Sequence, residues 1–304
     1  MSEKEKAVFT DVFNNKEYTQ SEIDSMKENF CVVVPKKVLP NRKKEEFVKL
    51  KKDRRQFVDM FDNFFFLSFN KVLELDLEKQ MVIRLLRLCC DLDYDNVVRK
   101  NQLTMLKMTN KEVGEILNLQ ERETKKTMSY IKQRGLIKMN ENKEIKVNDD
   151  FVVKGRLQTS NKKQTMKDGY VRIFEDGFKE LYDNCNSRDH KKLFFFIQIL
   201  PYVNIYYNIL CLNPLESDLN KIEILTWNEL MKILKIESAQ ASWRIKQNLL
   251  SLKIKEKHVI MIITQGKNQG VTINPRIYYK GNNNLNMIKG LINSFDLMEN
   301  THKK

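Results

Sequence analysis

The sequence has no apolar run close to the ~18 residues that a membrane-spanning helix needs. Lys, Arg, Asp or Glu interrupts every apolar stretch. The opening residues 1–6 are polar and lack the apolar segment of a secretory signal. No Cys-x-x-Cys occurs. The five cysteines (Cys31, Cys89, Cys90, Cys185 and Cys211) are odd in number and scattered, so they read as reduced core thiols of a cytoplasmic protein. Only three histidines are present (His190, His258 and His302), too far apart for metal-ligand spacing. There is no Gly-x4-Gly-Lys-Ser/Thr loop, which removes nucleotide hydrolysis of that type, and no His-x-His pair of the kind used in nicking. The acid pair Asp149–Asp150 reads as solvated loop charge, and Cys89 and Cys90 lack the basic, exposed setting of a nucleophile. The expectation is a chain that is not an enzyme, with no cofactor, no metal and no membrane partner.

What is present is positive charge and enough apolar residues for real cores. Fifty-four Lys and Arg stand against 40 Asp and Glu, a net charge of +14, with a pI near 9.4. Such an excess suits a polyanionic partner, because phosphate contacts supply most non-specific affinity for nucleic acid. A length of 304 residues with 41% hydrophobic content fits two domains.

Two segments, 47–155 and 170–281, follow one plan. Phe47 to Leu50 (FVKL) corresponds to Tyr170 to Ile173 (YVRI), and Phe61 to Asn63 corresponds to Tyr182 to Asn184. Val147-Asn148 with FVVKG at 151–155 corresponds to Ile273-Asn274 with IYYKG at 277–281. Three markers in one order at near-constant offset suggest an internal repeat. Each segment begins with an apolar helix, at 78–91 and at 189–200, the second closed by Pro201. Short extended pieces at 102–105 and 222–225 follow. Thr109 with Glu112, and Thr226 with Glu229, form Thr-x-x-Glu helix starts. Turns at 118–120 and 235–237 lead into longer helices, the first ended by Gly135. Hairpins close each segment, pairing 136–139 with 144–147 and 258–264 with 271–273. Helix, strand, helix-turn-helix and hairpin is the winged-helix order. The fold class expected is mainly α with small β-hairpins, an α+β chain of tandem winged-helix domains.

Residues 1–46 form an N-terminal arm ending in a basic stretch at 36–44. Residues 156–169 read as an exposed basic linker and 282–304 as a C-terminal helix and tail. The tail helix, 285–298, carries Leu285, Ile288, Leu291, Ile292 and Phe295 on one stripe, for packing on its own domain or on a second copy in a homodimer. The aromatic runs Phe64–Phe66 and 194–196 read as core rather than base-stacking platforms.

A helix that reads a major groove keeps one apolar stripe inward and presents polar, preferably basic, residues outward. In 120–134, Thr124, Met128 and Ile131 form the stripe, leaving Gln120, Arg122, Lys125, Lys126, Ser129 and Lys132 outside. In 238–250, Ala241, Ile245 and Leu249 form it, leaving Ser238, Gln240, Ser242, Arg244, Lys246 and Gln247 outside with no acid among them. Trp243 is expected to be core. Arg matches guanine and Gln adenine, while Lys and Ser suit phosphates. The second hairpin tip, 265–270, presents Lys267 and Asn268 between glycines and suits the minor groove or phosphates. Solvated helix faces also look basic, and winged helices also serve as protein-interaction scaffolds.

The segments FVKL at 47–50, DLDYDN at 91–96 and 147–155 resemble the RepL-type plasmid replication and maintenance proteins of Firmicutes. The Asn-Pro of that family's finish is kept at Asn274-Pro275, while Asp149 replaces the proline in the first segment. The stretch 207–228 is similar to helix-turn-helix proteins of Firmicute phages and plasmids. The resemblance implies a winged-helix binder of double-stranded DNA, serving a plasmid or phage in replication initiation with replication proteins as partners. It implies a cytoplasmic, nucleoid- or plasmid-associated location. Transcriptional regulation of a mobile element is the alternative. RepL-type proteins usually carry one such module, whereas two are read here.

Overall fold

A computed structural model of the chain describes residues 9–11, 16–18, 34–35, 48, 52, 63–99, 108–142, 144–155, 170–265, 268–279 and 285–302. Contacts divide the chain into two compact units, Met1–Met60 and Phe61–Lys304. In the first, β1 (Phe9–Asp11) lies between β2 (Lys16–Tyr18) and β3 (Val34–Pro35) in an antiparallel sheet. The basic stretch 36–44 falls outside the described residues, as do the linker 156–169 and most of the 47–50 marker.

The second unit is mixed helix and small antiparallel sheet. Its first half runs β4 (Phe64–Ser68), α1 (Phe69–Glu74), α2 (Lys79–Cys89), α3 (Asn110–Leu117), α4 (Glu121–Gln133), β5 (Ile137–Met139), β6 (Ile145–Val147) and β7 (Val152–Lys154). The second half runs β8 (Tyr170–Phe174), α5 (Glu175–Asp183), α6 (His190–Ile199), α7 (Trp227–Ile233), α8 (Ala239–Leu250), β9 (Lys253–Ile254), β10 (Lys257–His258), β11 (Ile260–Gln265), β12 (Asn268–Ile273) and α9 (Leu285–His302). Among the described residues no helix is long and apolar enough to cross a membrane.

The division between compact units falls at Met60, not between 155 and 170, and the reason is visible in α2. A helix that lies on one layer needs an apolar stripe, whereas one apolar all round must be enclosed. Every residue from Met81 to Cys89 is buried, including Arg84 and Arg87. The first half cannot cover that whole circumference, and α2 packs against α6 of the second half. One hydrophobic cluster accordingly runs from Phe65 through Leu86 and Phe196 to Tyr278. The halves are also joined edge to edge, because β4 pairs antiparallel with β7 on one side and with β8 on the other. Buried Lys154 of β7 pairs with buried Glu175 of α5 across the same seam. The aromatic runs are largely core, with Phe65, Phe194 and Phe196 buried. Phe64, Phe66 and Phe195 are half-buried, and the Arg172 guanidinium sits 4.7 Å over the Phe64 ring.

The two halves make the same local bonds. Asn96 (φ 60°) and Asn208 (φ 55°) are both left-handed and both buried. Their carbonyls accept from Val147 N at 2.9 Å and Ile273 N at 3.0 Å respectively. Their amides donate to Val152 O at 2.7 Å and Tyr278 O at 2.8 Å. Asn148 Nδ2 donates to Gly135 O at 3.1 Å, and Asn274 Nδ2 to His258 O at 3.0 Å. Only nine of 304 residues are glycine, so asparagine, whose amide bonds locally, fills left-handed positions that glycine commonly takes. The sequence marker pairing Phe61–Asn63 with Tyr182–Asn184 does not survive. Asn63 leads into strand β4, while Tyr182 and Asp183 end helix α5. By burial pattern β8 matches β4, so Tyr170–Ile173 answers to 64–67 and not to the 47–50 marker.

The seam carries a buried titratable group. His190 is 1% exposed, with its ring 4.1 Å from that of Tyr182, whose hydroxyl donates to Leu117 O at 2.8 Å. Burial first, then the nearby Arg84 cation, push the His190 pKa down to about 4. An unfolded chain protonates histidine near pH 6.5, so unfolding takes up a proton between about pH 6.5 and 4. Stability is therefore lost as pH falls through that window, by up to about 1.4 kcal/mol per pH unit for one proton, and the group has no effect above it. Urea unfolding between about pH 7 and pH 5 is expected to show this slope in the parent. His190→Phe, which keeps a ring against Tyr182, is expected to flatten it. Identical slopes in both proteins would exclude His190 as the source.

The predicted extended piece at 222–225 is reduced to a single bridge between Ile224 and Cys211, and the one at 102–105 lies outside the described residues. Cys89, Cys90 and Cys211 are buried and Cys185 is half-buried, and none of the four forms a disulfide. Burial pushes the Cys90 thiol up to about 12, the opposite of nucleophile activation. Helix α9 extends to His302 and packs on its own chain. Arg276 gives Asp296 two bonds of 3.0 and 2.9 Å, Lys257 a third of 2.5 Å, and His258 Nδ1 lies 2.8 Å from buried Glu299. Ile288 and Phe295 are buried, and Leu291 and Ile292 half-buried; the Leu285 side chain is outside the described set.

Candidate functional site

Two outward helices, α4 and α8, hold the residues singled out from sequence. Helix α3 is opened by a full capping box. Thr109 Oγ1 accepts from Glu112 N, and Glu112 accepts from Thr109 N at 2.8 Å. Asn118, left-handed at φ 47°, ends it, and Gln120 starts α4 two residues later. The same construction repeats before α8. Thr226 and Glu229 form the box at the start of α7, Lys235 is left-handed at φ 55°, and Ser238 caps α8 by accepting from Ala241 N at 3.4 Å.

In α4 the buried stripe is Thr124, Thr127 and Ile131, with Met128 half-buried. Sequence spacing missed Thr127. Buried Arg84 of α2 explains its position, donating to Thr127 Oγ1 at 2.8 Å and to Glu123 at 3.2 Å. Thr127 is therefore a polar knob rather than an apolar one. Gln120, Arg122, Lys125, Lys126, Ser129 and Lys132 are all exposed. Their field is diluted by two acids. Glu121 is ion-paired with Lys125 at 2.6 Å, and that hydrogen bond holds its carboxyl below the usual range.

In α8 Ile245 and Leu249 are buried and Ala241 half-buried, as the spacing predicts. Ser238, Gln240, Arg244 and Gln247 are exposed. Two other predicted outward residues are half-buried and engaged within the fold. Ser242 Oγ accepts from Trp227 Nε1 at 3.2 Å, and Lys246 Nζ lies 5.6 Å above the Trp227 ring. Trp243 corrects the sequence reading outright, because it is 62% exposed rather than core. The register explains it. Ile245 and Leu249 fix the inner face, and Trp243, between Ser242 and Arg244, is turned away from it.

The hairpins differ in reach. In the first, Ile137 pairs with Val147 and Met139 with Ile145, with Glu144 held by Asn140 and Arg99. In the second, β11 and β12 pair over six positions, from Ile260 with Ile273 to Gln265 with Asn268, so the returning strand starts earlier than 271. Lys267 and the Asn268 side chain lie outside the described residues. Between this hairpin and α8 is a cleft of about 530 Å³ lined by Ile224, Thr226, Trp227, Lys246 and Gln269 among others. Gly270 sits beneath it, where an added Cβ would come within 2.8 Å of Ile209.

Among the described residues no group of three His, Cys, Asp or Glu side chains comes together in a way that could hold a metal ion. No family model matches the chain, and no curated protein or solved structure matches it.

Proposed function

We propose that the chain binds double-stranded DNA through two winged-helix modules, with α4 and α8 as the groove-reading helices and β11–β12 as the principal wing. Support comes first from α8. Gln240, Arg244 and Gln247 are exposed on an acid-free helix, set beside a long hairpin and preceded by a capped helix and a tight turn. That is the order of parts a helix-turn-helix reader needs. The bonds repeated by Asn96 and Asn208, and by Asn148 and Asn274, favour reading the halves as copies of one module. Replication initiation for a plasmid or phage is the use favoured by the sequence resemblance. A net charge of +14 suits that partner.

A gel-shift series on mixed duplexes at increasing salt tests the reading. Affinity is expected to fall linearly in log–log form with a slope of about −0.9 per phosphate neutralised. No retarded complex, or one indifferent to salt, sinks it. Exposed Trp243 favours a second reading, a protein-interaction surface on the same helix. In that case Trp243→Ala would abolish partner binding while duplex affinity stayed absent throughout.

A further inference from the structure

We infer that the two reading helices are related by a two-fold axis running through the β4–β8 pair, so that the duplex they grip presents its half-sites in inverted orientation. The inference rests on the DNA-binding reading above and adds the geometry of the target to it. Its carrier is the register. Phe64 pairs with Phe174, Phe66 with Arg172 and Ser68 with Tyr170. Both strands are five residues long with one burial pattern, and each leads directly into a helix, α1 or α5. Matching them residue for residue equates Phe64 with Tyr170, Phe66 with Arg172 and Ser68 with Phe174. Exchanging the halves then turns the Phe64–Phe174 pair into the Ser68–Tyr170 pair and returns Phe66–Arg172 to itself. The pairing is unchanged by the exchange, which is the property of a self-complementary two-fold contact.

The remaining seam behaves the same way. Helix α2 packs on its counterpart α6. Helix α4 packs on α2, and α8 packs on α6, so each reader is carried by the matching member of that central pair. Beside β4, β7 occupies the outer edge. Tyr278 and Tyr279, the counterparts of Val152 and Val153, are buried. A head-to-tail arrangement, in which one half is carried to the next by translation, would not place equivalent strands antiparallel in a register that survives exchange.

DNA has two-folds perpendicular to its axis, and a protein with a matching two-fold sets its readers on half-sites of opposite polarity. Direct repeats need translation instead. The bases of the two half-sites will not match, because α4 begins with Glu121 and Glu123 while α8 has no acid. The symmetry is therefore expected in the phosphate contacts.

Ethylation interference on the full chain, bound to a duplex selected from random sequence, reads this directly. The interfering phosphates on one strand, read 5′ to 3′, are expected to recur on the other strand read 5′ to 3′, about one centre. Arg244→Ala is expected to erase interference in one half only. A pattern that recurs along the same strand, or a single half-site, overturns the inference while leaving DNA binding in place. Failure to select any duplex removes the DNA-binding reading and the inference with it, and is seen before any footprint is attempted.

Discussion

Replacing Arg244 and Lys246 together by alanine is expected to lower duplex affinity by about 10- to 100-fold and to reduce the salt slope by nearly two counterions, about 1.8. Arg244 is exposed, off the buried Ile245–Leu249 stripe. A bidentate contact to guanine or a phosphate from such a residue is worth roughly 1–3 kcal/mol, and every 1.4 kcal/mol is tenfold in affinity. Lys246 is half-buried over Trp227, so its share is expected to be the smaller. The paired change Arg122→Ala with Lys125→Ala in α4 provides the comparison. Lys125 is already engaged by Glu121 at 2.6 Å, and freeing that carboxylate adds repulsion toward phosphate. The two effects act in the same direction, yet the parent contribution they remove is weaker, and a loss below that of the α8 pair is expected. Fluorescence anisotropy with one labelled duplex at three salt concentrations measures both terms. Equal affinity of parent and α8 variant at every salt would remove α8 from the interface.

The sequence makes the helices legible where chemistry is local. The Thr-x-x-Glu boxes at Thr109 and Thr226 both form with reciprocal bonds, because a capping box needs only four consecutive residues. Gly135, at φ 69°, follows the end of α4 as its position suggests. The inner faces of α4 and α8 follow helical spacing, since burying Ile131, Ile245 and Leu249 fixes the rotation of each helix. What spacing cannot carry is contact between distant segments. Thr127 is drawn inward by Arg84, a contact that the spacing of Thr124, Met128 and Ile131 does not carry. Residue type alone places Trp243 in the core, whereas its register places it in solvent. The common core of the halves is hinted at by the apolar run of α2, but the burial of every residue from Met81 to Cys89, Arg84 and Arg87 included, depends on cover from α6, far along the chain. The asparagine pair was within reach. Tyr94-Asp95-Asn96 and Tyr207-Asn208 both stand in the sequence, yet their equivalence emerges only from the bonds that their carbonyls accept from Val147 N and Ile273 N.

Asn208→Ala is expected to destabilise the folded chain by about 3–5 kcal/mol, a large part of the 5–15 kcal/mol typical of a folded protein. Asn208 Nδ2 donates to Ile273 O at 2.9 Å and to Tyr278 O at 2.8 Å in a site that is 1% exposed. Removing it strips a side-chain donor from two buried carbonyls at roughly 1–3 kcal/mol for each group left unsatisfied. Alanine at φ 55° adds about 1–2 kcal/mol of left-handed strain that asparagine relieves locally. Asn208→Gly separates these terms, because it loses the amide while keeping the backbone conformation free of strain. It is expected to fall between the parent and the alanine variant, about 1 kcal/mol above the latter. Urea unfolding followed by far-UV circular dichroism and by tryptophan fluorescence measures all three. The two tryptophans, Trp227 and Trp243, both lie in the second half, whereas the circular dichroism signal draws on helices of both. Because one hydrophobic cluster spans the halves, the two probes are expected to report a single shifted transition. An earlier fluorescence transition, with the helices of the first half persisting beyond it, would contradict the common core and the two-fold seam built on it.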